Sequence, residues 1–572
     1  MLVLAITVVL LGEETALQLD SGWVMQTGDN HTWAAPDFDD SDWQPIEVGT
    51  PWEKTGYADY DGYAWYRLKL EIPQEWQNRD EHGFLSLFLG IIDDADVAYF
   101  NGEQIGTTGS MPPNYKTGYY TRRFYRLPTT LIKWGEQNIL AIRVYDGNRY
   151  GGLTKGPYAL KMPTLSDMID IKFEIKNSDG IYFSPNPLPA TISIENHSNA
   201  ALEFDAVFEL VGDRIDSVQV IEQKSKTLKL EGKNKVVEKI LFSSPPPGFY
   251  YVKCELIKEL EKIMMFGYEP EKIKTSLTRL SDFEEFWLAR KKELKNIAPE
   301  FSIVKSDRST DELDVYLVEM QSYGDVKIRG WYTVPKTEGP HPAILSVPGY
   351  RGSMWPYTHR AKVATLALNP RGHGNSKDDI DPQGEEYMFL GFDLHHPEKY
   401  IYAGAYMDCL RAVDFLVSRP EIDASRIGVE GGSQGGGLSF ATAALDDRIV
   451  FCAPDIPWLG DWVGYLQTEY WGWENYPNLL KEHPDLTFSD VNHLLSYFDT
   501  MNMAEWIACP VLMSVGLQDR VCPPRTSFAP FNAVISQKEY RVYPFAGHST
   551  WQQHSEIKDA WMAKILGVES VR

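Results

Sequence analysis

Short runs that alternate apolar and polar residues, broken by Gly, Asp and Asn, occupy the chain from Leu17 to about Met162; Trp65-Tyr66-Arg67-Leu68-Lys69-Leu70 is one of them. A period of two sends every second side chain to the same face, so this stretch predicts an all-β unit. Strand-like runs continue between about Ser166 and Tyr268, including residues 190–194 and 236–241, with proline-rich breaks at 185–189 and 245–247. They predict a small immunoglobulin-like β-sandwich. The pattern changes at Ser281-Asp282-Phe283-Glu284, which predicts a capping box ahead of a helix carrying Phe283, Phe286, Trp287 and Leu294. Buried strands are then expected at 343–347, 363–368, 427–430, 511–515 and 540–544, and Tyr406, Leu410, Val413 and Leu416 recur at helical spacing between them. Strands alternating with helices predict a doubly wound, mostly parallel sheet. The expected organisation is therefore multidomain, with β units at 17–164 and 165–268 and an α/β unit at 269–572.

Composition narrows the function classes. With 43% apolar and 24% charged residues, and no repeat or low-complexity tract, the 572-residue chain is globular. A formal charge of −25, without a compensating basic cluster, excludes nucleic acid as an expected partner. The apolar run Met1–Gly12 is too short to span a bilayer but matches the core of a signal peptide, here 1–16. Its basic flank is missing, since the first Lys is Lys54 and the first Arg is Arg67. A secreted or periplasmic location is expected. Cys254, Cys409, Cys452, Cys509 and Cys522 have neither metal-ligand spacing nor an even count, and read as buried thiols. A homo-oligomer is compatible with the sequence.

The chemistry concentrates in the last third. Gly431-Gly432-Ser433-Gln434-Gly435 follows a short buried strand and precedes a small-residue helix beginning near Leu438. A G-x-S-x-G in that context is a nucleophile elbow, where glycines spare the tight turn from Cβ clashes and present the Ser433 hydroxyl near a helix N-terminus. A serine hydroxyl needs a base and an orienting carboxylate, which in this fold follow in the order Ser, Asp, His. Of twelve histidines, His548 and His554 lie beyond the last candidate acid. His548 falls in the loop Ala546-Gly547-His548-Ser549 after a strand and is the chosen base, while His554 is expected on the following helix. Asp519 lies at the C-terminal end of a buried strand and is the chosen acid. Asp446, Asp447, Asp455, Asp461, Asp485, Asp490 and Asp499 read as surface or capping residues. The backbone N–H groups of Gln434 and Tyr350 are the expected oxyanion donors, Tyr350 sitting in the loop after strand 343–347, for which an ordinary glycine turn is the lesser alternative. An aromatic insertion at 461–476, with Trp462, Tyr465, Trp471 and Trp473, falls where lids occur; it either lines a sugar site or packs on the core.

Several phrases from about residue 270 to 568 resemble the acetyl xylan esterase and cephalosporin C deacetylase family. They are Asp282-Phe-Glu-Glu-Phe-Trp287, Ile328-Arg-Gly-Trp331, Pro370-Arg-Gly372, Asp408 to Leu416, Gly431-Gly-Ser-Gln-Gly435, Leu495 to Asp499, and Gly516-Leu-Gln-Asp519 followed by Cys522-Pro-Pro524. The resemblance implies an α/β-hydrolase that removes acetyl groups from sugar hydroxyls without metal or organic cofactor. It also implies Ser433, Asp519 and His548 as triad, with Tyr350 and Gln434 as oxyanion hole. The chain departs from the family pattern at His373, where Gln is usual, and at Ser549, where Glu is usual. Both lie near the expected pocket, for which Trp471, Trp473 and Arg371 are candidate substrate-binding residues. Upstream, Phe38 to Trp43, Asp61 to Arg67 and Ile92 to Gly102 resemble the jelly-roll domain of family 2 glycosidases and sialate O-acetylesterases. That resemblance implies either a glycan binder or a packing module, and the acidic phrase Asp39 to Asp42 reads as a turn under Trp43 rather than a calcium loop. An acetylated oligosaccharide or polysaccharide is the expected substrate, the alternatives being a serine hydrolase of other acyl specificity or a non-catalytic glycan-binding protein.

Overall fold

The computed structural model describes residues 16–148, 150–175, 177, 179–183, 186–213, 220–380, 388–466, 472–550 and 552–572. The apolar run Met1–Gly12 lies outside them.

The alternating runs near the N-terminus form a four-stranded and a six-stranded sheet, whose strands pair antiparallel. Their inner faces share a core containing Trp23, Trp52, Tyr66, Leu87 and Leu140. The acidic phrase is structural here. Asp40 is buried and receives the Arg67 guanidinium at 2.8 Å and the Lys69 ammonium at 2.5 Å, while Arg67 also lies over the Trp43 ring. A three-stranded and a five-stranded sheet follow, packed around Ile192, Phe204, Phe208 and Phe266.

The third unit carries nine strands, here β1 (Ser302–Lys305), β2 (Leu313–Gln321), β3 (Lys327–Pro335), β4 (His341–Val347), β5 (Ala364–Asn369), β6 (Ile422–Gly432), β7 (Ile449–Asp455), β8 (Val511–Gly516) and β9 (Lys538–Tyr543). Their order is 1-2-3-5-4-6-7-8-9, with β1 to β3 antiparallel and β4 to β9 mutually parallel. Helices cross between parallel strands, as the alternation of patterns requires. Crossing of β4 and β5 gives the sheet of an α/β-hydrolase. The helix Ile401–Ser418 buries Tyr406, Leu410, Val413 and Leu416, so its expected apolar stripe is its core face.

Two local expectations change. The helix Phe283–Asn296 begins after Asp282, and no side chain caps it. The Asp282 carboxylate instead accepts the Tyr497 hydroxyl at 2.8 and 2.9 Å, and Trp287 Nε1 donates to the Tyr497 carbonyl at 3.1 Å, so tertiary bonds replace the capping box. The strand β7 went unrecognised because it contains Pro454, a residue that removes a ladder donor. It is tolerated here one residue from the strand end.

The five-stranded sheet is bound to the hydrolase by one continuous core that joins Ile181, Phe249 and Met265 to Leu517 and Phe528. Arg525 adds a two-pronged ion pair to buried Asp213, with contacts from 2.8 to 3.0 Å.

Candidate active site

Ser433 ends β6 and precedes the helix Gln434–Leu445 with φ 59° and ψ −121°, a conformation that costs a non-glycine residue energy and persists where the surroundings enforce it. Three bonds do so. Its N–H donates to the Asp455 carbonyl at 2.9 Å, and its carbonyl accepts from Gly436 and Trp458, both at 2.9 Å. The flanking glycines are required by space. A Cβ on Gly431 would lie 2.6 Å from the Gly435 backbone, and one on Gly435 would lie 2.5 Å from the Val347 carbonyl oxygen. The G-x-S-x-G spacing is thus a packing requirement between β6, the helix and the end of β4.

The structure brings the three residues of the expected triad together. His548 Nε2 is 3.1 Å from Ser433 Oγ, and its Nδ1 is 2.8 Å from Asp519 Oδ2. The second Asp519 oxygen accepts the N–H groups of Val521 at 2.8 Å and Cys522 at 2.9 Å. Asp519 is wholly buried, so its charge has no water and relies on these donors and on the imidazole. His548 is exposed on the opposite side, where a substrate can reach it. Among the described residues Asp519, Cys522 and His548 form the one group of three metal-capable side chains. Both Asp519 oxygens are already engaged, and burial holds the Cys522 thiol far above its ordinary pKa, so this donor set suits hydrogen bonding rather than thiolate ligation.

Gln434 is fully buried, and its side chain is clamped at both ends. Tyr402 donates its hydroxyl to Gln434 Oε1 at 2.9 Å, which leaves Gln434 Nε2 to donate to His373 Nε2 at 2.8 Å. His373 Nδ1–H then donates to the Arg371 carbonyl at 3.1 Å. This ordering needs a neutral imidazole, and burial pushes the His373 pKa down to about 4. The His373 departure thus retains a hydrogen-bonding partner for the residue behind the nucleophile. Tyr350 sits half-buried in the loop after β4, its ring edge-to-face with Trp458 at 5.5 Å. A Cβ on the preceding Gly349 would lie 3.8 Å from Ser433 Cβ, so this loop lies against the nucleophile.

Arg371 requires a correction. Its guanidinium is buried and bound to Asp408 by two contacts of 2.8 Å and to the Tyr323 carbonyl at 2.7 Å, so it is not available to a substrate. Gly404 is glycine because a Cβ there would lie 2.0 Å from this guanidinium. Arg371 therefore anchors the loop that carries His373. Trp471 lies outside the described residues; Trp473 belongs to the helix Gly472–Glu482, and its side chain is not described. Trp462 and Tyr465 of the same insertion are buried in the hydrolase core.

A second correction concerns Asp455. It ends β7 and is buried, rather than lying at the surface. Its carboxylate accepts from Ser514 at 2.7 Å, His554 Nε2 at 2.7 Å and Lys558 at 2.5 Å. Lys558 also reaches Glu430 at 3.1 Å, and Glu430 pairs with Arg360 at 2.5 Å. Burial alone would raise both carboxyls, but these cations hold Asp455 and Glu430 below the usual range. His554 is on the helix Gln552–Leu566, as expected, with its other nitrogen 2.9 Å from the Tyr543 hydroxyl. Chain spacing gave no sign of this network, since its members, Arg360, Glu430, Asp455, Ser514, Tyr543 and the His554–Lys558 turn, come from six separate segments.

Comparison with known proteins agrees with this geometry. Residues 264–565, just over half of the chain, match the family model of acetyl xylan esterase (AXE1). The chain is 32% identical over 331 residues to the acetyl esterase Axe7A of Xylanibacter ruminicola, covering 56% of this chain and 74% of that one. Solved structures similar to it include an acetyl xylan esterase from a Paenibacillus species, with 32% identity, 51% and 98% of the two chains covered and a TM-score of 0.48. Another is acetyl xylan esterase 1 from a Thermoanaerobacterium species, with 25% identity, 52% and 97% covered and a TM-score of 0.46. A nucleophile elbow on an α/β-hydrolase sheet, a matching family model and a relative of this identity place the chain in the acetyl xylan esterase (AXE1) family of carboxylic ester hydrolases.

Proposed function

We propose that this protein removes acetyl groups from acetylated xylan or xylo-oligosaccharides through an acyl-enzyme on Ser433. The observation that carries the reading is the hydrogen-bonded line from Ser433 Oγ through His548 to buried Asp519, with contacts of 3.1 and 2.8 Å. Ser433 Oγ attacks the ester carbonyl as His548 Nε2 takes its proton, and Asp519 holds the Nδ1–H and stabilises the imidazolium. The carbonyl oxygen, now negative, receives the N–H of Gln434 at the helix N-terminus and that of Tyr350. Each such donor is worth about 10²–10³ in rate. The sugar hydroxyl leaves with the proton from His548. Water then attacks the acyl-enzyme, gives its proton to the same imidazole, and acetate departs.

A small acyl group suits the surroundings of Ser433. Buried Cys522 brings its sulfur to 3.9 Å from Ser433 Oγ, and Tyr350 packs on Trp458 across the loop. The test is acetate release from acetylated xylo-oligosaccharides, with an aryl acetate as control. Wild type should release acetate from both, and Ser433→Ala from neither. Cleavage of the aryl acetate alone would retain the esterase and refute the carbohydrate.

A further inference from the structure

The loops that carry Asp519 and His548 do more than complete the triad, because their outer sides form one wall of a cleft. Gln518 and Arg520 flank the acid, and Phe545 precedes the base by three residues. All three line a cleft of about 880 Å³ whose opposite wall is the preceding β-sandwich, through strands Ile169–Glu174 and Leu260–Tyr268 and Tyr251 between them. That volume is in the range of sites that hold an organic ligand.

The cleft is rigidly framed. Gln518 accepts the Met265 N–H at 2.9 Å and donates to the Met265 carbonyl at 3.0 Å and the Pro544 carbonyl at 2.7 Å. One side chain thus ties the sandwich to the acid loop and to the segment leading to His548. The lining calls for a polar ligand with an apolar face. The Phe545 ring is 58% exposed, although it is a large hydrophobic residue on a loop of the active site. Lys172 and Lys262 add exposed cationic ends on the sandwich side.

A pyranose has this mixed character, with C–H faces that stack on aromatic rings and hydroxyls around its edge. Three extended residues span at most about 11 Å, so Phe545 lies within that reach of His548 along the chain. A glycan whose acetyl group is at Ser433 would have to run past His548 to reach Phe545. We propose that the cleft between the β-sandwich and the hydrolase binds the backbone of the glycan substrate, with Phe545 as stacking platform and the Lys172 and Lys262 ammonium groups as hydroxyl partners. The assignment rests on the carbohydrate reading above, and it makes the sandwich part of the substrate site rather than a spacer.

The test uses the full chain and compares two substrates. In Phe545→Ala, KM for acetylated xylo-oligosaccharides should rise about fivefold to tenfold, corresponding to about 1–1.4 kcal/mol. In Lys262→Met it should rise about threefold, without loss of thermal stability, because the ammonium group removed is exposed. For both variants kcat/KM on an aryl acetate should stay within about twofold of wild type. Unchanged KM on the oligosaccharides, or equal losses on both substrates, would overturn the cleft assignment. If wild type cleaves only the aryl acetate, the carbohydrate reading fails by itself. The cleft is then judged by titrating unacetylated xylohexaose into Ser433→Ala protein, where absence of binding overturns it and binding lost in Ser433→Ala with Phe545→Ala supports it.

Discussion

Two Asp–His pairs of nearly equal length stand at the ends of adjacent strands, one bonded through Nδ1 and the other through Nε2, and what surrounds them separates their roles. Asp519 and His548 meet at 2.8 Å after β8, and Asp455 and His554 meet at 2.7 Å after β7. Both acids are buried. The first imidazole is exposed and turns its free nitrogen to Ser433 Oγ at 3.1 Å. The second is enclosed, with its other nitrogen against the Tyr543 hydroxyl and Lys558 beside its carboxylate. A short Asp–His hydrogen bond therefore does not identify a catalytic base. What the base needs is a reacting partner and an open side, and the enclosed pair instead braces the elbow, because Asp455 accepts the Ser433 N–H through its carbonyl.

Substitutions in the exposed pair should break this contrast most sharply. His548→Ala is expected to lower kcat on an aryl acetate by about 10⁴ or more, and Asp519→Asn by about 10⁴ through the wrong imidazole tautomer, with unfolding temperatures near wild type. Steady-state kinetics checks both, and a His548→Ala enzyme of normal activity would transfer the role of base elsewhere. Lys558→Met should act on the other pair. It leaves Glu430 and Asp455 buried with less compensation, and about 3–5 kcal/mol of stability should be lost, read from the denaturant midpoint. His554→Ala should cost less, about 1–3 kcal/mol, with a fall in kcat of under about tenfold, because it removes hydrogen bonds and not the proton acceptor. A loss in kcat equal to that of His548→Ala would abolish the distinction.

A further effect sharpens the comparison through pH. The His373 imidazole stays neutral in the fold down to about 4, whereas in the unfolded chain it gains a proton near 6.5. The unfolded state then binds more protons in that window, so this residue's contribution is complete above pH 6.5 and declines as pH falls toward 4. Its size is on the order of 3 kcal/mol. His373→Gln keeps an acceptor for Gln434 without a titrating group, so the slope of stability between pH 4 and 6.5 should flatten. An unchanged slope would show that the carboxylates account for all of the acid sensitivity.

The candidate site was legible where local geometry demands particular residues. Gly431, Ser433 and Gly435 are spaced by the turn itself, and His548 and Asp519 were found from the order in which strands and loops follow one another. Arg371 was misjudged because an arginine beside a pocket and an arginine beneath it look alike in sequence. Its partner Asp408 is 37 positions away on the helix Ile401–Ser418. Asp455 was passed over because Pro454 hid the strand that ends on it. Phe545 and Tyr251 share a cleft only because the sandwich packs back on the hydrolase, and neither belongs to a pattern with the other.

Periodicity and short-range sterics thus determined by themselves that two β units precede a doubly wound sheet, and that Ser433 is raised on a turn only glycines can flank. These are decided within a few residues, by side-chain alternation and by the space a Cβ would fill. Tertiary structure alone decided which buried carboxylate braces that turn, and whether an arginine meets substrate or core. Those outcomes depend on burial and on partners brought together from distant segments, and the free energy of a charged or polar group is set by that enclosure rather than by its neighbours along the chain.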